Sequence, residues 1–226
     1  MAHYPARFLF LSAVEAGMAA VFFDVDGTLV RWTDGYGAVL ETAVERELER
    51  VDGAWLDHYN DRFFEHFGGF ADDPYRRAFG DVCGRFDLDA SPERLASALV
   101  DAEFAAVEPV PGVERAVRSL ADRHTLGLLT NGLPEVQFGK VERVGLGDAF
   151  DVRVASHDPD VRATKPGAPI FEAARERVES ERLVMVGDNR ESDIEGARRH
   201  GFEAVHVDSE TSGLSAPDFE TLATLL

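Results

Sequence analysis

Five short apolar runs narrow the folds open to this chain: Val21-Phe22-Phe23, Leu126-Gly127-Leu128-Leu129, Val152-Arg153-Val154-Ala155, Leu183-Val184-Met185-Val186 and Ala204-Val205-His206-Val207. Most are too continuous for strands with one face in water, and they read as buried parallel strands. Between the later runs lie segments of helical period, at about 112–123, 134–145, 167–178 and 191–200. Strand and helix alternating in this way predict an α/β fold built on a doubly wound parallel sheet.

The interval from Asp34 to Glu108 breaks the alternation. It lacks a strong strand run but holds helical stretches such as residues 38–48, and Ser91-Pro92-Glu93 offers an N-cap followed by proline at the first helical position. The expected organisation is a helical cap over residues 34–106, set into a core of residues 19–33 and 107–226, with residues 1–18 as an N-terminal extension. Pro109 and Pro111-Gly112 punctuate the return to the core. Trp55, Tyr59, Phe63, Phe64, Phe67 and Phe70 recur at near-helical spacing and are expected to form the core of the cap.

Composition limits the partners. The chain carries 42 Asp plus Glu against 23 Lys plus Arg, a formal charge of −19, so nucleic acid and anionic membrane would both be repelled. Lysine occurs only at Lys140 and Lys165; an acidic, lysine-poor surface of this kind resembles that of salt-adapted proteins. The single cysteine, Cys83, allows no internal disulfide, and the reducing cytoplasm is the expected setting. No apolar run reaches the roughly 20 residues of a membrane helix. The stretch Arg7 to Val14 has a faint signal-peptide character that Glu15 interrupts, and Met18 is an alternative start.

In an open parallel sheet, ligands sit beyond the carboxyl ends of the strands. Those positions here hold Asp24-Val25-Asp26-Gly27-Thr28, then Thr130-Asn131-Gly132, and Gly187-Asp188-Asn189 with Asp193 beyond it, while Thr164-Lys165-Pro166 precedes a helix. Two acids one residue apart repel unless a cation lies between them or one holds a proton. Asp24 is therefore a candidate metal-bound nucleophile and Asp26 a candidate proton carrier, the two roles that attack on phosphorus requires. Gly27 lets the turn close around an anion, whose oxygens its N–H groups would meet. Lys165 supplies compact positive charge, Asp188 a hard oxygen ligand suited to Mg²⁺, and Thr130 and the Asn131 amide neutral hydrogen bonds to phosphate.

These four segments, in this order, resemble the signature motifs of the haloacid dehalogenase superfamily. The similarity spans about residues 19–207 and extends to Gln137 and Lys140, to Ile170-Phe171 and to residues 193–197 with Gly201. The insert resembles the small α-helical cap of one large branch. The resemblance implies Asp24 as nucleophile and Mg²⁺ ligand, and Asp26 as acid/base whose backbone carbonyl also meets the metal. It implies Thr130 and Lys165 as phosphoryl-binding groups, with Gly27, Thr28 and Asn131 at the phosphate, Asp188 completing the metal site and Asp193 in support. Dehalogenating members replace the second acid of the first motif, so Asp26 favours phosphoryl transfer.

The expected activity is Mg²⁺-dependent hydrolysis of a small phosphomonoester through a phospho-Asp24 intermediate. A phosphosugar mutase, a phospho-Asp receiver and a phosphate-binding relic are the alternatives, and oligomeric state is undetermined. Lys140 reads as a helix-surface residue favourable to its helix dipole, outside the site. The seven histidines read as structural or surface residues, and Gly145-Leu146-Gly147 lacks the third glycine of a dinucleotide loop. Arg31, Trp32, Tyr36 and Arg76 are candidate specificity residues in or near the cap.

Overall fold

The computed structural model describes residues 18–207. The N-terminal stretch with signal-like character lies outside them. In chain order the elements are β1 (Ala20–Phe23), β2 (Val30–Trp32), α1 (Tyr36–Glu47), α2 (Gly53–Gly68), α3 (Pro74–Phe86), α4 (Pro92–Ala105), β3 (Val107–Pro109) and α5 (Val113–Ala121). The second half runs β4 (Thr125–Thr130), α6 (Pro134–Arg143), β5 (Val152–Ala155), α7 (Ala168–Glu176), β6 (Leu183–Gly187), α8 (Gly196–Arg199) and β7 (Glu203–His206).

Five strands form one parallel sheet in the order β5-β4-β1-β6-β7. β1 lies at the centre because all four of its side chains are apolar and can be covered on both faces. Val21 and Phe23 pack with Val113, Val117 and Leu120 of α5 and Val141 of α6. Ala20 and Phe22 face the other way, onto Ile170 and Phe171 of α7, Ala197 of α8 and Phe202. That two-sided burial is the predicted doubly wound arrangement. Phe22 pairs in register with Gly127 of β4, where a Cβ would fall 2.5 Å from the ring, so the bulk of one strand fills the gap left by the next.

The predicted strands all form, but the segment near 191–200 does not begin as an α-helix. Residues Arg190–Glu195 make a π-helical turn, with Ile194 N–H reaching Asn189 O at 3.3 Å, before four α-helical residues follow. The sequence reading also passed over β2 and β3, an antiparallel ribbon with Arg31 opposite Glu108. Three residues per strand are too few for a period to show. This ribbon carries the chain into and out of the four helices between its strands.

Those helices share an apolar cluster of their own, built from Leu40, Tyr59, Phe79, Leu95 and Leu99 among others, with Leu133 and Val136 joining from the core side. Side chains cap the starts of three of the helices: Asp52, Asp73 and the expected Ser91 each accept a backbone N–H of the first turn. The aromatic group divides. Trp55 and Tyr59 are buried, whereas Phe64 is 68% exposed, and Phe67 and Phe70 leave the helical cluster to stack on His157 with ring centroids 4.1 and 4.9 Å away. Period alone could not separate these faces, because α2 packs on α3 along one side and meets the core loop with its end.

Replacing Gly127 with valine is expected to cost about 1–3 kcal/mol of stability, the usual range for overpacking, because Phe22 has nowhere to retreat. A urea titration of the variant checks this, and an unchanged midpoint would show that the sheet yields there.

Candidate active site

Asp24 leaves the end of β1 with its N–H donated to Val186 O at 2.9 Å, so the ladder still holds the backbone where the side chain emerges. The chain then turns on itself: Leu29 and Val30 N–H both return to Val25 O. Here the structure corrects the sequence reading. The Gly27 N–H donates to Val30 O at 2.8 Å and the Thr28 N–H to Val25 O at 3.2 Å, so these amides serve the turn rather than an anion. Gly27 is needed for other reasons. Its φ is +80°, and a Cβ there would stand 2.3 Å from Asp188 Oδ2. Thr28, fully buried, points its hydroxyl at Asp188 Oδ1 from 3.5 Å.

Lys165 arrives on a loop tied to the end of β4. Asn131 accepts the Lys165 N–H at 2.7 Å and donates its own amide to Lys165 O at 3.1 Å, so the second and third motifs are joined as a unit. The ammonium lies 2.8 Å from Asp24 Oδ1 and 2.8 Å from Asp193 Oδ1. Asp193 sits in the π-helical turn, where Asn189 N–H and the Ser192 hydroxyl fix its oxygens. Gly187 leaves room for it; a Cβ there would be 2.3 Å from Asp193 Oδ2. Oxygens of Asp24, Asp188 and Asp193 come within 4.8 Å of one another, and buried Thr130 ends the neighbouring strand. His206, the last residue of the edge strand β7, donates its Nε2–H to Asp188 O at 2.8 Å.

Asp26 turns to the other side, toward α6. Gln137 Nε2 donates to Asp26 Oδ2 at 3.0 Å, and Lys140 Nζ stands 3.1 Å from both carboxylate oxygens. Lys140 is therefore not the surface residue the sequence suggested. Its side chain is 2% exposed, it also pairs with Glu103 of α4 at 3.3 Å, and it lies 4.4 Å from the centre of the Trp32 ring. Two carboxylates from distant parts of the chain make its burial tolerable. Of the specificity candidates, Tyr36 meets Trp32 edge to face, while Arg31 pairs with Glu108, and Arg76 with Asp73 and Glu93, on exposed surface.

The sequence profile of the haloacid dehalogenase-like hydrolases matches residues 18–201. The chain belongs to that family. A glyceraldehyde 3-phosphate phosphatase from Methanopyrus kandleri is 30% identical over 200 residues, covering 83% of each protein. A solved HAD phosphatase from Thermococcus onnurineus is 28% identical with a TM-score of 0.59, over 92% of this chain and 97% of that one. A 2-haloacid dehalogenase structure from Pseudomonas syringae is 27% identical with a TM-score of 0.65, over 88% and 90%. Haloacid dehalogenase-like hydrolases thus include relatives named for different leaving groups, and the site's own chemistry has to separate them.

Its electrostatics are those of crowded acids. Burial pushes the Asp24 carboxyl up to about 6, with Lys165 opposing and the charges of Asp193 and Asp26 adding to the rise. Asp188 is raised by burial and then by Asp193. Burial alone would lower Lys165, but Asp24 and Asp193 more than offset it and hold the ammonium charged. The raised carboxyls of Asp24 and Asp188 offer hard oxygens of the kind that suit a divalent cation such as Mg²⁺. Gln137, Lys140, Glu103 and His206 are the residues that sequence reasoning left outside the site. The signal for two of them was present: Gln137 and Lys140 are three apart, on one face of α6.

A carboxyl raised in the folded state contributes stability below its unfolded value near 3.8 and loses it as pH rises through about 6. In EDTA, the Asp24→Asn variant should therefore gain on wild type by an amount on the order of 1–3 kcal/mol between pH 4 and pH 6.5. Urea unfolding of both across that range tests the sign, and a difference independent of pH contradicts it.

Proposed function

We propose that this protein is a Mg²⁺-dependent phosphomonoester hydrolase working through an aspartyl-phosphate on Asp24, with a small phosphorylated metabolite as substrate. The observation that carries the reading is the pair of acids after β1, held apart by separate lysines. Asp24 pairs with Lys165, and Asp26 pairs with Lys140 while keeping its side chain 34% exposed. A departing halide takes no proton, whereas a departing alkoxide does. An Asp placed at the mouth beside the nucleophile therefore favours phosphate esters over haloacids, and the phosphatase named among the relatives supports the same choice.

In this reading a carboxylate oxygen of Asp24 attacks phosphorus, the bond to the ester oxygen breaks, and Asp26 gives its proton to that oxygen as the alcohol leaves. Asp26 then takes a proton from water, the water oxygen attacks phosphorus, and the bond to Asp24 breaks to release inorganic phosphate. Thr130 and Lys165 hold non-bridging oxygens through both steps, and Asp193 keeps Lys165 in place. Asp24, Asp188 and the Asp26 backbone carbonyl would hold the metal, which when bound supplies the positive charge that lets an anionic ester approach carboxylates. The helical cap closes over the leaving group and sets its identity. The charge of −19 keeps nucleic acid and membranes outside the partner list, and the cytoplasm is the proposed location.

Turnover of p-nitrophenyl phosphate in Mg²⁺, abolished by EDTA and restored by added metal, is the expected result. Asp24→Asn should lose at least about 10³-fold in kcat, as expected when a covalent nucleophile is removed. Near-normal activity in that variant would remove Asp24 from the mechanism.

A further inference from the structure

The chain has only two lysines, and the site uses them in parallel. Lys165 sits between Asp24 and Asp193, and Lys140 between Asp26 and Glu103. Asp193 and Glu103 are also the two fully buried acids among the described residues, each 1% exposed. Each acid of the first motif is thus held by a buried lysine, and each lysine by a buried acid. For Asp24 that outer acid comes from the core. For Asp26 it comes from α4, in the helical insert, where Tyr75 of α3 donates its hydroxyl to the far oxygen of Glu103 at 2.7 Å.

We propose that Glu103 and Lys140 are positioning residues for Asp26, so that the orientation of the proton-donating carboxylate is set by how the insert's α4 is docked on α6. The inference rests on the phosphatase reading above. Packing alone does not call for these charges. Phe104 already seats its ring against Gly139, where a Cβ would fall 2.4 Å away, and Leu133 and Val136 already join the insert's apolar cluster. A buried ion pair is generally no more stable than an apolar pair of the same volume, so its presence at this contact points to a role other than holding the helices together. Geometry supplies that role. Gln137 fixes one oxygen of Asp26, Lys140 spans both, and Glu103 fixes Lys140 against the Trp32 face. The Asp26 side chain is then braced from α6 while remaining open toward the nucleophile.

An acid that is present but loosely aimed slows only those reactions whose leaving group needs its proton. The experiment compares glycerol 3-phosphate, with a poor alkoxide leaving group, and p-nitrophenyl phosphate, with a good one, in Mg²⁺ at one pH. Glu103→Gln keeps an acceptor for Tyr75 but releases Lys140; Gly139→Ala pushes α4 off α6 through Phe104 without touching a polar group. Each should lower kcat for glycerol 3-phosphate by roughly 10-fold or more while changing kcat for p-nitrophenyl phosphate less than about 3-fold, in line with what a misplaced catalytic group costs. Placed in an Asp26→Asn background, Glu103→Gln should add no further loss, since the group it positions is already gone.

Thermal melts of both variants accompany the assays, and either variant that stays folded decides the matter. Equal losses on the two esters, no loss on either, or a further loss in the Asp26→Asn background overturns the positioning role. A wild-type chain inert toward both esters overturns the phosphatase reading and this inference with it.

Discussion

Like charges brought together at the edge of the sheet are the constraint on which the rest depends. Asp24, Asp26, Asp188 and Asp193 come from the ends of two strands and one turn, and crowding of this kind is tolerated only where cations answer it. Lys165 does so at 2.8 Å from two of the four, on a loop that Asn131 ties to β4. The small residues follow from the same crowding. Gly27 yields its Cβ volume to Asp188, and Gly187 yields its own to Asp193.

Much of this was legible from the residues alone, for reasons that can be named. The strands were readable because burial on both faces removes polar positions from them, leaving runs such as Leu183 to Val186. The motif residues were readable because they fall where an open parallel sheet places its ligands. The failures share a cause as well. Lys140 near the end of α6 looks like a residue reaching for solvent, and only the arrival of Asp26 and Glu103 from elsewhere in the chain buries it. Gly27 looked like an amide donor to an anion, whereas the demand on it was made by a carboxylate near the other end of the sequence. Partners supplied by tertiary structure leave no local trace.

The helical insert is more than a lid laid over a finished core. Leu133 and Val136, which belong to the stretch after β4, are part of its apolar cluster. His157, after β5, packs between two of its phenylalanines and donates its Nε2–H to Phe67 O at 3.1 Å. Together with the Glu103–Lys140 pair, these contacts tie the insert to α6 and the turn before it, and to the loop after β5. The groups that join the insert to the core thus include the ones that hold the Asp26 side chain.

The ribbon of β2 and β3 has a consequence for how such a protein can change over generations. Outgoing and returning strands lie side by side, with Thr33 N–H on Ala106 O at 2.8 Å, so everything between them hangs from a single narrow stem. The order of strands in the sheet is indifferent to what hangs there. A lineage can lengthen, shorten or replace that bough without having to relearn how the trunk folds, provided each new bough again brings a carboxylate to Lys140.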